Sequence, residues 1–235
     1  MRKIFGTGTL HWLSPKSRDK VIDTALNNGF SQFDTAGVYG LGSTNKYLGS
    51  LGLSRNVFFS AKLGLTSGKT FGFSRLEFLL RKVLLSKLSK IEEDNCYSNW
   101  QRQFETQMLD LRVCKVQRLL LHERFITTEL WQLFLKFINE YRVHFDEYGV
   151  SASWPTLRPT ISKVYDEKLL IQTTPDILDD DQVKDLKKLT LYGISKMCND
   201  DNYVKYGKNY IEGFVYFSSK TSRIKTFLPD NKYNG

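Results

Sequence analysis

The chain has 235 residues, 41% hydrophobic and 25% charged, with 34 Lys and Arg against 25 Asp and Glu, a formal net charge of +9. That length fits a single α/β barrel or at most two small domains, and the abundance of Leu, Ile, Val and Phe excludes a disordered chain. The basic surplus favours anionic partners, such as a phosphorylated cofactor or an acidic substrate, without choosing among them.

Short β-rich apolar runs alternate with segments of helical periodicity from end to end, the pattern of a parallel sheet built from βα units. Strands are predicted at Ile4–Leu10, Gln32–Thr35, Val57–Lys62, Val116–His122, Glu147–Ser151, Leu169–Thr173, Thr190–Ile194 and Gly213–Ser218. Helices are predicted between them at Ser17–Asn28, Thr44–Leu51, Arg75–Lys90, Trp100–Leu111, Thr127–Tyr141, Trp154–Tyr165 and Asp179–Leu186, with a short one from Thr221. Ser17, Thr127 and Asp179 stand where helix starts are expected, and Gly29 where a helix ends. Eight strands in alternation with helices give the expected fold: α/β, one (β/α)8 TIM barrel over residues 1–235, with short loops and an abbreviated last helix. The loop-like stretches Gly64–Phe73 and Cys198–Asn209 follow predicted strands, where barrels carry their active-site loops.

Cys96, Cys114 and Cys198 stand far apart, which excludes a disulfide framework and a zinc site and suits a reducing compartment. Met1–Gly8 is basic but leads into no apolar core of a signal peptide, and no run reaches the ~18 apolar residues of a membrane span. The expectation is a cytoplasmic chain with no membrane partner. No helix-turn-helix, zinc-finger or RNP-like pattern supports nucleic acid. The amphipathic stretch Arg75–Lys90 reads as a barrel-flanking helix with a solvated basic face.

The chemistry concentrates at predicted strand ends. Asp34 ends one strand and Tyr39 follows in the next loop; Lys62 ends the third strand and His122 the fourth. A barrel brings those ends to one mouth. A tyrosine hydroxyl, ordinarily of pKa near 10, donates a proton at neutral pH only if its phenolate is stabilised. A nearby lysine ammonium does that, and a carboxylate keeps the lysine charged and oriented. A histidine beside them hydrogen-bonds a substrate oxygen or shares in the proton relay.

These residues stand in runs that resemble the aldo-keto reductase family: Phe33-Asp34-Thr35-Ala36 with Tyr39-Gly40, then Asn45–Gly49, the Lys62 and His122 strands, Phe104–Val113, Gly149-Val150-Ser151, Gln172 and Ser218–Ile224. The resemblance implies catalytic roles for Tyr39 as general acid, Asp34, Lys62 and His122. It also implies an extended NAD(P)H across the barrel mouth, with no metal. By the same resemblance Gly8, Thr9 and Asp34 lie near the nicotinamide, Ser151 and Gln172 hold its carboxamide, and Ser218, Ser219 and Arg223 grip the adenosine phosphates. A guanidinium such as Arg223 suits a forked pair with a 2′-phosphate, so NADPH is expected over NADH. Trp12, Phe71, Phe73, Trp100 and Phe125 are the expected substrate-pocket walls. His11, His144 and the cysteines carry no chemistry in this reading.

Three positions and one stretch depart from the family pattern. Ala152 stands where an asparagine follows the serine, Asn45 where a glutamate is usual and Phe217 where a lysine precedes the phosphate-binding serine, and Tyr192–Met197 lacks Ser-Pro-Leu. The expected function is reduction of an aldehyde or ketone, an anionic one by the charge balance; the alternative is a catalytically silent cofactor-binding or scaffolding member of the same fold. Only twelve residues follow Arg223, too few for a long C-terminal loop, so an open pocket is expected, with room for a second copy of the chain to cover it.

Overall fold

The computed structural model describes residues 2–53, 57–67, 91–122, 126–164, 166–179, 186–193 and 211–226. The first half runs β1 (Arg2–Gly6), α1 (Pro15–Asn27), β2 (Gln32–Asp34), α2 (Ser43–Ser50), β3 (Phe58–Leu63), β4 (Leu65–Ser67), β5 (Ile91–Glu93) and α3 (Tyr97–Leu111). The second half runs β6 (Val116–His122), α4 (Thr128–Glu140), β7 (Phe145–Ser151), α5 (Trp154–Val164), β8 (Leu170–Thr173), β9 (Leu189–Tyr192), β10 (Ile211–Tyr216) and α6 (Thr221–Thr226).

Eight strands close a barrel in the order β1-β2-β3-β6-β7-β8-β9-β10 and back to β1, every neighbour parallel. They are the eight predicted strands in chain order, a singly wound (β/α)8 barrel. Strands covered on both faces read as continuous apolar runs, and β6 shows it: six of its seven residues are buried. The helices lay one apolar stripe on that barrel. In α3 the buried Trp100, Phe104, Gln107 and Leu111 recur at helical spacing, and Arg112 in a left-handed conformation ends the helix. Ser14 and Thr127 cap α1 and α4 by accepting from the Ser17 and Leu130 N–H groups.

Differences from the predicted elements have local causes. The first strand, expected to reach Leu10, stops at Gly6 because the Thr7 N–H and hydroxyl both turn to the Asp34 carbonyl at 3.0 and 2.9 Å; Leu10–Trp12 then forms a 3₁₀ turn. Part of the predicted loop Gly64–Phe73 is strand: β4 pairs antiparallel with β5 in a two-stranded ribbon outside the barrel. Helix α3 begins three residues before the expected Trp100, because Asp94 accepts from the Cys96 N–H at 3.0 Å and from Gln103 Nε2 at 2.9 Å. The predicted helix Arg75–Lys90 and residues 180–185 of Asp179–Leu186 lie outside the described residues.

A charged cluster fills the amino-terminal end of the barrel. Arg118, from β6, is fully buried; its Nε sits 2.9 Å from Glu147 Oε2, Nη2 3.3 Å from Glu212 Oε2, and Nη1 donates to Thr190 Oγ1 at 3.2 Å. Arg2 adds a 2.7 Å contact to Glu147 Oε2. Burial pushes the Glu147 carboxyl up, but the hydrogen bonds and charges of Arg2 and Arg118 outweigh it and hold the group below its usual range. A carboxyl lowered in the folded state adds stability above its unfolded pKa, near about 4.3, and loses it as pH falls through the folded value. Arg118→Met should therefore destabilise the fold by about 3–5 kcal/mol, the cost of breaking a buried pair, and should flatten its acid dependence; denaturant titrations at pH 7 and pH 4 measure both.

Candidate active site

Parallel neighbours in register share a face, and residues two apart along a strand share it too. Asp34 pairs with Ser60, Lys62 with Leu120, and His122 with Ser151. Ser60 also pairs with Arg118, whose side chain crosses the interior to Thr190. Asp34, Lys62, His122 and Ser151 therefore all point into the barrel, near the carboxyl ends of β2, β3, β6 and β7.

The structure brings Asp34, Tyr39, Lys62 and His122 together. Lys62 Nζ lies 2.8 Å from Asp34 Oδ2 and donates to the Tyr39 hydroxyl at 3.5 Å. The Tyr39 and His122 rings meet edge to face, centroids 5.9 Å apart at 84°. Asp34, Lys62 and His122 are 1%, 5% and 6% exposed, while Tyr39 is half-buried. Burial works against the Lys62 ammonium, but the Asp34 charge, helped by Tyr39, overrides it and holds the lysine above its usual pKa. His122 behaves oppositely: burial first, then the Lys62 charge, hold it well below 6.5, so the imidazole is neutral at physiological pH.

Local sequence explains the placement. The Thr35 hydroxyl donates to Asn45 Oδ1 at 2.6 Å, tying the residue after Asp34 to α2. Fully buried Asn45 thus acts as a neutral acceptor where the family pattern has a glutamate. Tyr39 rides on a loop in which Gly40, Leu41 and Gly42 all have positive φ, at 57°, 56° and 84°. Gly40 is required there twice over, since a Cβ would stand 2.4 Å from His11 Cβ. Leu41 carries strain of about 1–2 kcal/mol in that conformation.

The residues expected at the cofactor fall in three groups. Gly8 lies beside Tyr39, its Cβ position 3.6 Å from Tyr39 Cζ, and the buried Thr9 Oγ1 has no hydrogen-bond partner. His122, Ser151 and Gln172 form one register row across β6, β7 and β8, and the buried Gln172 Nε2 is also without a partner. Such orphaned donors are costly until a ligand meets them, which fits a carboxamide seated over this row. The third group is only partly available. The Ser218 hydroxyl accepts from the Lys220 N–H at 3.0 Å and donates to the Lys220 carbonyl, so it is engaged within its own turn, whereas Ser219 and Arg223 are exposed at α6. Phe217 covers the end of β1: a Cβ on Gly6 would lie 2.2 Å from its ring. That ring takes the position where the family pattern puts a cation.

The expected pocket walls fare less well. Trp100 is fully buried instead, its Nε1 donating to the Asp94 carbonyl at 2.6 Å and its ring packed edge-on against Phe134 and Phe137. As a core anchor of α3 it lines no pocket. Trp12 is 52% exposed beyond β1, and Phe71, Phe73 and Phe125 lie outside the described residues.

Two residues went unassigned from sequence. Tyr192 ends β9 half-buried and, two positions beyond Thr190, faces the mouth; strand alternation alone signalled it. Gln107 bonds the Lys62 peptide from α3, and its only signal was a polar residue on the buried stripe of an amphipathic helix. Among the described residues no cluster of His, Cys, Asp and Glu is suited to a metal, and no helix is long and apolar enough to cross a membrane.

No curated protein matches the chain in sequence. Among solved structures, a glycerol dehydrogenase from Gluconobacter oxydans is similar over 96% of this chain and 84% of its own, at 18% identity and TM-score 0.66. An aldo-keto reductase from Bacillus halodurans in its holo form matches 94% of this chain and 83% of its own, at 14% identity and TM-score 0.65. Aldose reductase from Giardia lamblia matches 96% and 85%, at 14% identity and TM-score 0.60. At those identities the likeness establishes the barrel. Membership comes from the sequence itself: residues 4–195 match the Aldo/keto reductase family, and the chain belongs to that family of oxidoreductases.

Proposed function

We propose that this chain is an NADPH-dependent reductase of an aldehyde or ketone, with Tyr39 as the proton donor. The observation that carries the reading is the Lys62 ammonium set between Asp34 at 2.8 Å and the Tyr39 hydroxyl at 3.5 Å. The residues present fit a nicotinamide cofactor, through the orphaned Gln172 Nε2 and Thr9 Oγ1 and the exposed Arg223. Bound there, the reduced cofactor supplies a hydride to the carbonyl carbon. Tyr39 gives its hydroxyl proton to the carbonyl oxygen, and the Lys62 ammonium stabilises the phenolate left behind. Neutral His122 orients the carbonyl by a hydrogen bond without adding a second positive charge. The Asp34 carboxylate, 2.8 Å away, holds Lys62 charged and in place.

Arg223 supports NADPH over NADH, since a 2′-phosphate suits a forked guanidinium. The net charge of +9 supports an anionic carbonyl substrate.

Tyr39→Phe should lower the rate of carbonyl reduction, followed by the loss of reduced-nicotinamide absorbance, by about 10²–10⁴-fold. NADPH affinity, read from quenching of tryptophan fluorescence, should hardly change. Undiminished turnover would overturn the assignment; NADPH binding by the parent chain with no turnover across a broad carbonyl panel would assign the non-catalytic role instead.

The pH dependence follows from the electrostatics. Because His122 is held well below 6.5, it stays neutral as pH falls through that value. The kcat profile should therefore show no acid limb near the ordinary histidine pKa of about 6.5. It should decline only on the alkaline side, as Tyr39 loses its proton. A limb near neutrality that His122→Gln removes would contradict this.

A further inference from the structure

The even-numbered residues of β3 turn their peptide groups toward β2: the Phe58 N–H donates to the Ser31 carbonyl at 2.8 Å, and the Ser60 carbonyl accepts from the Thr35 N–H at 3.1 Å. Lys62 is next in that series, but β2 has already ended at Asp34 and the chain has left toward Tyr39. The Lys62 peptide is thus an open sheet edge at the most demanding point of the site. Gln107, 2% exposed on α3, closes it. Its Oε1 accepts from the Lys62 N–H at 3.4 Å, and its Nε2 donates to the Lys62 carbonyl at 2.9 Å and to the Gln103 carbonyl at 3.2 Å. One side-chain amide does for Lys62 what a residue of a longer β2 would have done.

The other side of the same amide meets the Tyr39 loop, where the Cβ position of Gly37 lies 3.4 Å from Gln107 Cδ. Two residues on, the Tyr39 N–H is bonded back to the Ala36 carbonyl at 3.0 Å. Gln107 is therefore packed between the backbone that carries Lys62 and the backbone that carries Tyr39. We propose that Gln107 is a positioning residue for the proposed reduction, a surrogate strand partner that fixes Lys62 Nζ against the Tyr39 hydroxyl. The assignment deepens the reductase reading and rests on it for its catalytic meaning.

The charged and titratable groups around the pair are Asp34 on β2, Lys62 on β3, His122 on β6 and His11 in the turn packed on Gly40. Lys46 on α2 and Arg102 and Asp110 on α3 line the cleft into which Gln107 faces, with Asp94 ahead of that helix. Replacing Gln107 by an apolar or shorter side chain leaves all of these in place. What changes is the hold on Lys62. A cation close to the hydroxyl favours the phenolate and lowers the tyrosine pKa, so a looser Lys62 raises it.

The test is a phenolate titration by ultraviolet difference absorbance. The chain has 12 tyrosines, so the Tyr39 signal is isolated by subtracting the same titration of the Tyr39→Phe form of each variant. Gln107→Leu removes the amide and should raise the Tyr39 midpoint by about one pH unit. Gln107→Asn withdraws the amide by one methylene and should raise it by less. Under turnover, Gln107→Leu should lower kcat about 10–100-fold and move its alkaline limb upward by the same amount as the midpoint, with KM and NADPH affinity changed less than about twofold. A merely structural residue would lower thermal stability and leave the midpoint alone. Parent-like midpoints in both variants would overturn the proposal, and should Gln107→Leu not fold, the Asn variant decides it. The titration needs no substrate, so a parent chain that reduced no carbonyl would refute the reductase reading separately from the placement of Gln107.

Discussion

A lysine ammonium held 5% exposed inside a barrel is the constraint from which the rest of the site follows. Taking such a charge out of water costs several kcal/mol and is tolerated only beside a well-placed counter-charge. Asp34 supplies it at 2.8 Å. The pairing needs β2 and β3 in one register, with Asp34 opposite Ser60 and Lys62 one inward position higher. It also needs β2 to end at Asp34, so that the chain can turn out and bring Tyr39 back over the lysine. The same cation sets the state of its other neighbour, because burial and the Lys62 charge together keep His122 neutral. One buried charge thus acts on all three groups around it: a paired carboxylate, a hydroxyl that accepts from the ammonium, and an uncharged imidazole.

The barrel interior holds a second buried cation. Arg118 faces Ser60, one inward position below Lys62, on the neighbouring strand. Two cations so placed repel unless each has its own anions. The anions are sorted by height: Glu147 and Glu212 serve Arg118 at the amino-terminal end, and Asp34 serves Lys62 at the mouth. Separate pairing lets the closed end carry stability while the mouth is left to the proposed chemistry, the usual division of labour in this fold.

What was legible in the sequence follows the same physics. All eight barrel strands could be read because strands covered on both faces are short apolar runs with sharp ends, and Asp34, Lys62 and His122 could be read because each stands at such an end. Tyr39 could be read into the loop after Asp34 but not placed against Lys62, since its place depends on three consecutive left-handed residues that no periodicity reveals. The β4–β5 ribbon was missed because three-residue strands lack an alternation to detect and their partners lie 24 or more residues apart. Trp100 was misassigned because the helix starts at Tyr97, behind a turn in which Asp94 accepts from the Cys96 N–H, and a shifted start turns a core position into an apparent loop position. Arg118 and Gln107 look alike from sequence, each a polar residue inside an apolar pattern. Only the end of a neighbouring strand, a tertiary fact, distinguishes a barrel plug from a backbone clamp.

The hydrogen bond that matters most to the proposed reduction is also a long one. At 3.5 Å, Lys62 Nζ to the Tyr39 hydroxyl lies at the outer edge of a useful contact, too weak alone to hold a phenol in place. Tyr39 is held by its loop instead. Gly40 is pressed against His11, Gln107 and the tyrosine ring stand within contact reach of Gly37 and Gly8, and Leu41 keeps a strained conformation between two glycines. A loop crowded by His11 at Gly40 has little room to relax that strain, and strain persists where surroundings over-determine the backbone. The position of the hydroxyl is then a property of α3, the β1 turn and the Lys62 peptide acting together. In the proposed reduction, reactivity at Tyr39 therefore depends on residues that never touch a substrate.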